Sequence, residues 1–590
     1  MKKLTGVLYA ACISAAFFSI CNISFHADIS VTAFPLAALF TGVFIYLCYS
    51  RLLGKNDIKV IGAVRKLLQY EPFIFLAAFI LRRSGKEGTS YAFDVVSVLL
   101  WVIVTAVSFY ALYYLNEKRV YSYNEKWKKS NDQLPAKKVP AGALWLCCEA
   151  VEWIDALVQA VCMVLLIQIF IVQLYQIPSE SMVPEFLIKD RVIVFKTVSG
   201  PKFPLSDVGL PELKTYHRGN IVVFRNPHYT LDRQSEIKTF VSQLVYMLSF
   251  TTVNLNRDAD GSPKADPLVK RVTGVPGEQL VMQDGILYTR TKSSAQFKPV
   301  SDEAEWAAWN LNDLPESTRK NVRQLPLDTE QYKMMIDCEQ QRRGIDVVAA
   351  SDECKSLTER FRSVSGQAYH KSGDMSGFFS KTEMFEYNLF RENESVTRRL
   401  LTADGGSDWF RMFMTDWIGK TNVSSGVQND ITGSLLAGGD IYQDANYKLN
   451  IMIKLTLGRL IVRNAELLMD GTAAAKWNSD EKRMAYMNQA EMLNNYIMLL
   501  DRRNMPIFPA DDASGNPQYI PENCYFMMGD NRFNSLDLRH SYDDTLTALT
   551  PLDAYSVTYY SNMAPQYVNK KLILGTTAFR FWPLNRIGKL

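Results

Sequence analysis

The chain passes almost directly from ALVQAVCMVLLIQIFIVQL (residues 156–174) into IPSESMVP (residues 177–184). The first stretch is close to the roughly 20 apolar residues that a helix needs to cross a bilayer. Ser181 therefore places a hydroxyl, a candidate nucleophile, at a membrane surface. Taken alone, a Ser-x-Ser beside a proline is more often a turn at a helix exit. A nucleophile in this position suits a scissile bond that lies just outside the bilayer.

Length and composition indicate a membrane part joined to more than one soluble part. The 590 residues exceed one ordinary domain, and nearly all long apolar segments lie before residue 176. The formal net charge of +4 is unremarkable, and we expect no nucleic-acid partner. The soluble part has no CxxC pair of the zinc-binding type, so we expect no structural metal. A disulfide between Cys338 and Cys354 stays open, because spacing alone does not decide it.

The charges of the loops predict how the chain crosses the membrane. Four apolar runs are long enough or nearly so, at residues 4–25, 31–49, 95–115 and 156–174. The loops after Tyr49 and Leu115 are both rich in lysine and arginine, which predicts that both are cytoplasmic. A single span cannot join two loops on one side, so the marginal segment 67–81, which contains Pro72, must cross or re-enter. We predict five crossings with everything after Leu174 outside, whereas four crossings would leave the soluble part in the cytoplasm.

Beyond Asp190 the pattern changes to short β-rich runs. Asp284-Gly285 is typical of a hairpin turn. The predicted strands are 191–195, 221–224, 271–275 and 525–528, with hairpin arms 280–282 and 286–288.

Helical patterns dominate the region between these strands. They cover 447–469 and 481–500, the second preceded by an Asn478-x-x-Glu481 capping box, whereas 403–441 is rich in Gly, Ser and Asp and predicts a loop. The predicted fold is a multi-pass α-helical membrane region followed by a mainly β domain that is interrupted by a large, mainly α insertion. The predicted divisions are 1–176 for the membrane region, 177–290 and 516–590 for the β domain, and 291–515 for the insertion.

A serine hydroxyl needs a base before it can attack. None of the five histidines lies in a recognisable triad motif such as GxSxG, so a Ser-His-Asp arrangement is unsupported though still open. The alternative is a lysine made neutral by burial, because desolvation lowers a lysine pKa. Lys270 enters the apolar strand pattern VKRVTGV and is such a candidate, although a lone lysine is by default a surface residue.

Four segments, in this order, resemble those of bacterial type I signal peptidases, the membrane-bound Ser–Lys leader peptidases. FRFWPLNRIGKL at 579–590 is also similar to the C-terminal sequence of that family. Together they cover roughly 176–288 and 522–590. The four segments are PSESMVP at 178–184 followed by DRVIV, RGNIVVFRNP at 218–227, VKRVTGVPGE at 269–278, and YFMMGDNRFNSLDLRH at 525–540.

The resemblance implies a signal-peptidase-like β domain and a role for each matching residue. Ser181 would be the nucleophile and Lys270 the general base. Ser179 would complete the oxyanion hole with the Ser181 N–H, and Ser535 would orient the Lys270 amine. The implied structural ion pairs use Arg271, Asp530, Arg532, Asp537 and Arg539, and the implied cleft for small side chains at −1 and −3 is lined by Ile177, Pro178, Met182, Phe186 and Val269.

The chain departs from the family pattern at several places. Glu180 stands where a small residue is common, Glu185 where a small hydroxyl residue is common, and Phe533 where an acid is common. No departure removes a catalytic group, so they bear on substrate preference or loop geometry. The insertion and the additional spans are larger departures.

The resemblance implies an integral-membrane serine endopeptidase that removes signal peptides from exported preproteins through an acyl-enzyme, without metal or organic cofactor. Its partners would be preproteins and the lipid bilayer of the bacterial cytoplasmic membrane, with the catalytic domain on the extracytoplasmic face. The insertion could gate access, bind protein-export machinery or enlarge the soluble face. One alternative is a non-catalytic membrane-anchored protein that binds exported chains. The other, a self-cleaving Ser–Lys repressor relative, fits poorly because the chain has membrane spans and no evident helix-turn-helix before the serine.

Overall fold

The N-terminal third of the protein is a bundle of long helices. The computed structural model describes residues 2–23, 35–84, 89–122, 125–132, 142–229, 232–249, 253, 255–257, 261, 264–369, 374–420 and 440–589. The helices of the bundle are α1 (Lys2–Cys21), α2 (Leu36–Ile45, continued by a π-helix at Tyr46–Gly54), α3 (Ile61–Arg83), α4 (Tyr91–Tyr114), α5 (Glu117–Val120), α6 (Glu125–Asp132) and α7 (Ala143–Phe170).

Within the described residues, four helices are long and apolar enough to cross a membrane: Lys3–Cys21, Leu36–Gly54, Tyr91–Tyr114 and Ala143–Phe170. They correspond to the four predicted apolar runs, although residues 24–25 and 31–34 of those runs lie outside the described part. The end of the last predicted run was wrong. Its final residues leave the helix, because the β-prone sequence VQLYQ pairs with 191–195 as a strand.

The marginal segment 67–81 lies inside α3, whose 23 residues extend about 34 Å. Helix α3 is not one of the four described helices that are long and apolar enough to cross a membrane. At its C-terminal end, Arg83 Nη1 donates to Asn22 Oδ1 at 3.1 Å and Arg83 Nε to Asp94 Oδ1 at 2.8 Å. Trp127 Nε1 donates to Asn56 Oδ1 at 3.1 Å, which joins the two basic loops. The ends of α1 and α3 therefore lie beside the start of α4, and the start of α3 lies beside the loop after α4.

The β part consists of antiparallel sheets. An eight-stranded sheet has the order β1-β2-β13-β3-β4-β9-β12, with β14 paired to β13, and a second sheet has the order β7-β6-β5-β8. Asp284 (φ 54°) and Gly285 (φ 79°) form the predicted hairpin turn between β5 and β6. The strands are β1 (Val172–Gln176), β2 (Arg191–Phe195), β3 (Ile221–Phe224), β4 (Leu268–Gly274), β5 (Glu278–Gln283), β6 (Ile286–Thr291), β7 (Ser294–Pro299), β8 (Met505–Phe508), β9 (Cys524–Met528), β10 (His540–Ala548), β11 (Thr558–Met563), β12 (Val568–Asn569), β13 (Ile573–Trp582) and β14 (Gly588–Lys589).

Helices fill the region between β7 and β8, and one more helix, α8 (Arg233–Leu248), lies between β3 and β4. The helices of the middle region are α9 (Glu316–Arg319), α10 (Thr329–Arg343), α11 (Val347–Ser365), α12 (Glu386–Arg391), α13 (Asn393–Thr402), α14 (Gly406–Thr415), α15 (Ile441–Met469), α16 (Glu481–Ile497) and α17 (Leu500–Arg503).

Two local predictions in this region were wrong. α14 occupies part of the predicted loop 403–441, because Trp409, Phe410 and Phe413 bury one face of a helix, while residues 421–439 lie outside the described part. The N-cap of α16 is Asp480 rather than Asn478, since the Asp480 carboxylate accepts the Arg483 N–H. Cys338 and Cys354 are free, buried thiols.

The helical region and the β part share one hydrophobic core. Leu549, Tyr555, Val557 and Tyr559, in and beside the β10–β11 hairpin, pack with the buried faces of the middle helices. Strands β7 and β8 also lie inside the predicted segment 291–515, yet they pair with β6 and β5. The helices themselves therefore occupy a shorter stretch than the predicted insertion.

A loop of the β part reaches the membrane helices. The Phe203 ring packs against the rings of Phe79, Trp101 and Phe170. Ser206 Oγ donates to Asp94 Oδ2 at 2.7 Å. This contact lies at the end of the bundle from which α7 continues into β1.

Candidate active site

Ser181 lies in the connection between β1 and β2. Ile177 N donates to Asp190 O at 2.8 Å, and Lys189 N donates to Ile177 O at 2.9 Å, so the connection closes on itself. A turn follows Ser181, in which Phe186 N donates to Met182 O at 2.9 Å. The half-buried serine therefore lies on a connection whose two ends are joined by hydrogen bonds next to β1 and β2.

Lys270 comes from β4 and points its amine at this serine. Lys270 Nζ lies 2.6 Å from Ser181 Oγ, and the lysine is only 3% exposed. Burial lowers the pKa of Lys270 to about 8, although the carboxylates of Asp537 and Asp530 act in the opposite direction. A neutral amine within hydrogen-bonding distance of a hydroxyl can accept its proton, which is the requirement for a general base.

Ser179 lies beside the same hydroxyl. Its Oγ is 3.3 Å from Ser181 Oγ, and its side chain is exposed. Within the described residues, the Ser181 N–H donates to no protein acceptor. A free N–H and a neighbouring hydroxyl are groups that can stabilise a developing oxyanion.

The loop after β9 is organised around the buried carboxylate of Asp537. Arg539 Nε donates to Asp537 Oδ1 at 2.8 Å, and Gly529 N and Ser535 Oγ both donate to Asp537 Oδ2 at 2.9 Å. Burial alone would raise the pKa of Asp537, but the Arg539 guanidinium holds it well below the ordinary value. In the described part of the chain Ser535 makes no hydrogen bond with Lys270, so its predicted orienting role stays a prediction.

A second ion pair joins this loop to β4. Arg271 donates to both carboxylate oxygens of Asp530, with distances of 2.8 and 2.6 Å. Arg532, from the same loop, forms an ion pair with Glu303 at 2.6 Å. Glu303 belongs to the segment that precedes the middle helices. The five charged residues implied by the resemblance therefore all take part in ion pairs, and one partner, Glu303, lies outside the quoted sequence segments.

The predicted cleft residues gather beside the serine. Ile177, Met182 and Phe186 are buried in one hydrophobic cluster, and Val269 packs against it. Pro178 is exposed at the edge of the loop. A small apolar surface thus adjoins Ser181, and none of the three histidines in the described residues contacts its hydroxyl. His540 is buried and lies 3.0 Å from Asn562 through Nδ1, and burial lowers its pKa to about 3.

Comparison with known proteins matches two ranges of the chain to one family model. The description Signal peptidase, peptidase S26 applies to the family model that matches residues 150–341 and 459–582, slightly more than half of the chain. The chain belongs to the signal peptidase family. Both segments that carry the Ser181–Lys270 geometry lie within the first matched range, and the loop of Asp530 and Asp537 lies within the second.

Curated signal peptidases match over shorter stretches. Signal peptidase I of Buchnera aphidicola subsp. Schizaphis graminum (strain Sg) is 39% identical over 69 residues, which is 12% of this chain and 22% of that protein. Signal peptidase I of Buchnera aphidicola subsp. Baizongia pistaciae (strain Bp) is 43% identical over 65 residues, 11% of this chain and 21% of that protein. The chain thus spans about a fifth of the length of these curated signal peptidases. The search of solved structures gave no match.

Several residues near the site were not identified from the sequence. Asn531 N donates to Ser181 O and Asn531 Nδ2 donates to Glu180 O, both at 3.1 Å. Trp306 lies over the Arg271 guanidinium, 5.2 Å from ring centroid to Cζ. Asn531 lies inside the quoted GDNR motif, which is a usable signal, whereas nothing in the sequence links Glu303 or Trp306 to the site.

Proposed function

We propose that the protein is a signal peptidase that removes signal peptides from exported preproteins by Ser–Lys acyl transfer. The observation that carries the proposal is the 2.6 Å contact between the Lys270 amine and the Ser181 hydroxyl. Membership of the family and the apolar helices support the substrate class and the membrane setting. The same contact weighs against a non-catalytic binding protein, which needs no buried amine on that hydroxyl.

In the proposed reaction, neutral Lys270 takes the Ser181 proton as Oγ attacks the carbonyl carbon of the residue before the scissile bond. The Ser181 N–H and the Ser179 hydroxyl stabilise the oxyanion of the tetrahedral intermediate. The Lys270 ammonium then protonates the departing amine, which leaves an ester on Ser181. Lys270 next takes a proton from water, the hydroxide attacks the ester, and the serine is regenerated with its proton.

The other predicted site residues are proposed to support these steps. Ser535 accepts a hydrogen bond from the Lys270 ammonium while Asp537 holds its hydroxyl in place. The five ion-pair residues hold the loop geometry. The apolar cluster around Ile177, together with Pro178, takes the small side chains at −1 and −3. The division into residues 1–176, 177–290, 291–515 and 516–590 stays a proposal in the same sense.

We further propose five membrane crossings, with the β part on the extracytoplasmic face of the bacterial cytoplasmic membrane. The support is the pairing of helix ends: Arg83 with Asn22 and Asp94 at one end, and Trp127 with Asn56 at the other. These contacts fit an α3 that runs the length of the bundle. The described basic residues of both loops lie at the Asn56 end, whereas Lys137 and Lys138 of the second loop lie outside the described residues.

Cleavage of a preprotein by the purified full-length protein in detergent tests the enzymatic proposal. Ser181→Ala and Lys270→Ala are each expected to abolish processing, because one removes the nucleophile and the other the base. Ser293→Ala and Lys298→Ala, at a hairpin of the other sheet, are matched controls expected to cleave normally. Appreciable cleavage by either site variant contradicts the assignment.

A serine-directed acylating inhibitor separates the enzyme from a binding protein, since labelling should be lost in Ser181→Ala. Reporter fusions after residues 90 and 140 test the topology. The first is expected to report the extracytoplasmic side and the second the cytoplasm. The reverse assignment, which four crossings would give, or the same side for both would contradict five crossings.

A further inference from the structure

Residues 303–324, which precede the long middle helices and which we call the clamp segment, lie against the loops of the candidate site. The segment begins within the 3-10 turn Ser301–Glu305 and contains the 3-10 turn Leu311–Asp313 and the helix α9. None of it belongs to the motifs through which the chain resembles its family. It contacts residues that precede Ser181 in the chain and residues that follow it.

The first contact is made by the neighbour of the nucleophile. The Glu180 carboxylate accepts the backbone N–H of Arg323 and that of Gln324, the latter at 3.2 Å. Glu180 is only 6% exposed. A carboxylate in such a place needs hydrogen-bond donors, because burying it without partners is costly. A small residue at this position could not reach the clamp segment.

The second contact is apolar and lies on the other side of the serine. Val183 and Leu187, from the turn after Ser181, are buried against Leu311, with Leu314 and Val322 packed around them. The loop of the nucleophile is therefore held to the clamp segment by a carboxylate on one side of Ser181 and by aliphatic side chains on the other.

The third contact holds the loop of the ion pairs. Ala308 N donates to Asp530 O at 2.7 Å, and Arg532 N donates to Ala308 O at 3.2 Å. The ring of Phe533 packs edge-on against Trp309, with 5.3 Å between centroids, and joins the core of the middle helices. The residue that departs from the family pattern in this loop thus serves as its anchor.

We propose that Glu180 is a positioning residue and that the clamp segment fixes the Ser181 loop against the Asp530 loop. Two loops from distant parts of the chain then keep the Ser181 hydroxyl at the Lys270 amine. The inference rests on the proposed peptidase function. Small misplacements of reacting groups can cost about 100-fold in rate. Loss of the contact between Glu180 and the clamp segment should therefore lower kcat.

The test compares Glu180→Ala and Glu180→Gln with the wild-type protein, using kcat and KM for a preprotein-derived peptide and the rate of acylation by a serine-directed inhibitor. Glu180→Ala is expected to lower kcat and acylation together by about 10- to 100-fold, with KM within about twofold. Glu180→Gln keeps one oxygen for the N–H groups and should recover part of the rate. The pH midpoint of the reaction should not move, because the charges that act on the Lys270 amine are those of Asp537, Asp530 and Arg539 rather than that of Glu180.

Glu383→Ala is the matched control, because Glu383 also accepts a backbone N–H, from Ser380 at 2.8 Å, and is exposed away from the site. It should cleave as the wild type does. The inference is overturned if Glu180→Ala turns over within twofold of wild type, if Glu180→Gln is no better than Glu180→Ala, or if the pH midpoint shifts. Should Glu180→Ala not fold, Glu180→Asp takes its place, because its shorter side chain cannot reach the N–H groups of Arg323 and Gln324; turnover of that variant within twofold of wild type would likewise overturn the inference. Absence of cleavage by the wild-type protein would instead refute the peptidase function.

Discussion

The pH dependence of cleavage tests the environment of Lys270 most directly. The ordinary lysine value is 10.5, and burial lowers the pKa of Lys270 to about 8. This difference corresponds to about 3 kcal/mol and to about 300-fold more neutral amine at pH 7. Because only the neutral amine can take the Ser181 proton, about a tenth of the enzyme is active at pH 7 and about nine tenths at pH 9.

The assay is kcat/KM for a fluorogenic preprotein-derived peptide in detergent from pH 6 to pH 9.5. The logarithm of kcat/KM should rise with a slope near one and level off above about pH 8. Acylation by a serine-directed inhibitor should follow the same curve. Lys270→Arg serves as the companion variant, because it keeps the positive charge but stays protonated throughout, and it should be inactive at every pH.

A flat profile between pH 6 and pH 9.5 would refute the reasoning, since it would mean that no group with a pKa near 8 controls the reaction. A profile still rising at pH 9.5 would also refute it, because the amine would then not be desolvated as the structure has it. Thermal melting across the same range checks that the protein stays folded.

Two further substitutions probe the loop after β9. Gly529→Ala should lower kcat by at least about 10-fold, because the added Cβ would overlap Ser181 O and Ser535 Oγ. The control is Gly377→Ala, whose added Cβ meets open space. Equal turnover by the two variants would contradict this prediction. Arg539→Ala leaves the Asp537 carboxylate buried and unpaired and should lower the free energy of unfolding by about 3–5 kcal/mol in thermal or denaturant melts. Arg398→Ala, which breaks an exposed helical pair, should cost less than about 1 kcal/mol, and similar losses in both would contradict the assignment.

The sequence predicts the strands well and singles out Ser181 and Lys270 as a candidate catalytic pair, because both inferences depend on local patterns. Strands 191–195 and 221–224 are found at their predicted bounds, since β-branched runs between turn residues leave little choice. Ser181 and Lys270 lie in motifs that can be read by resemblance, and the structure places them together.

The sequence fails where the outcome depends on contacts between distant segments. The last apolar run predicts a helix to Leu174, but pairing with β2 converts its end into a strand. Glu180 and Phe533 look like departures in loop positions, and only the packing of the clamp segment gives each a partner. Periodicity describes one segment at a time and does not report which other segment will lie against it.

The contact of Phe203 and Ser206 with the membrane helices has a mechanical consequence. A catalytic domain joined to a bilayer at α7 alone could swing and present Ser181 at many heights. The ring of Phe203, seated among Phe79, Trp101 and Phe170, adds a further attachment point and restricts such swinging. Under the proposed function, the bundle would fix the height of Ser181 above the membrane, so that a scissile bond is selected by its distance from the membrane as well as by the side chains beside it.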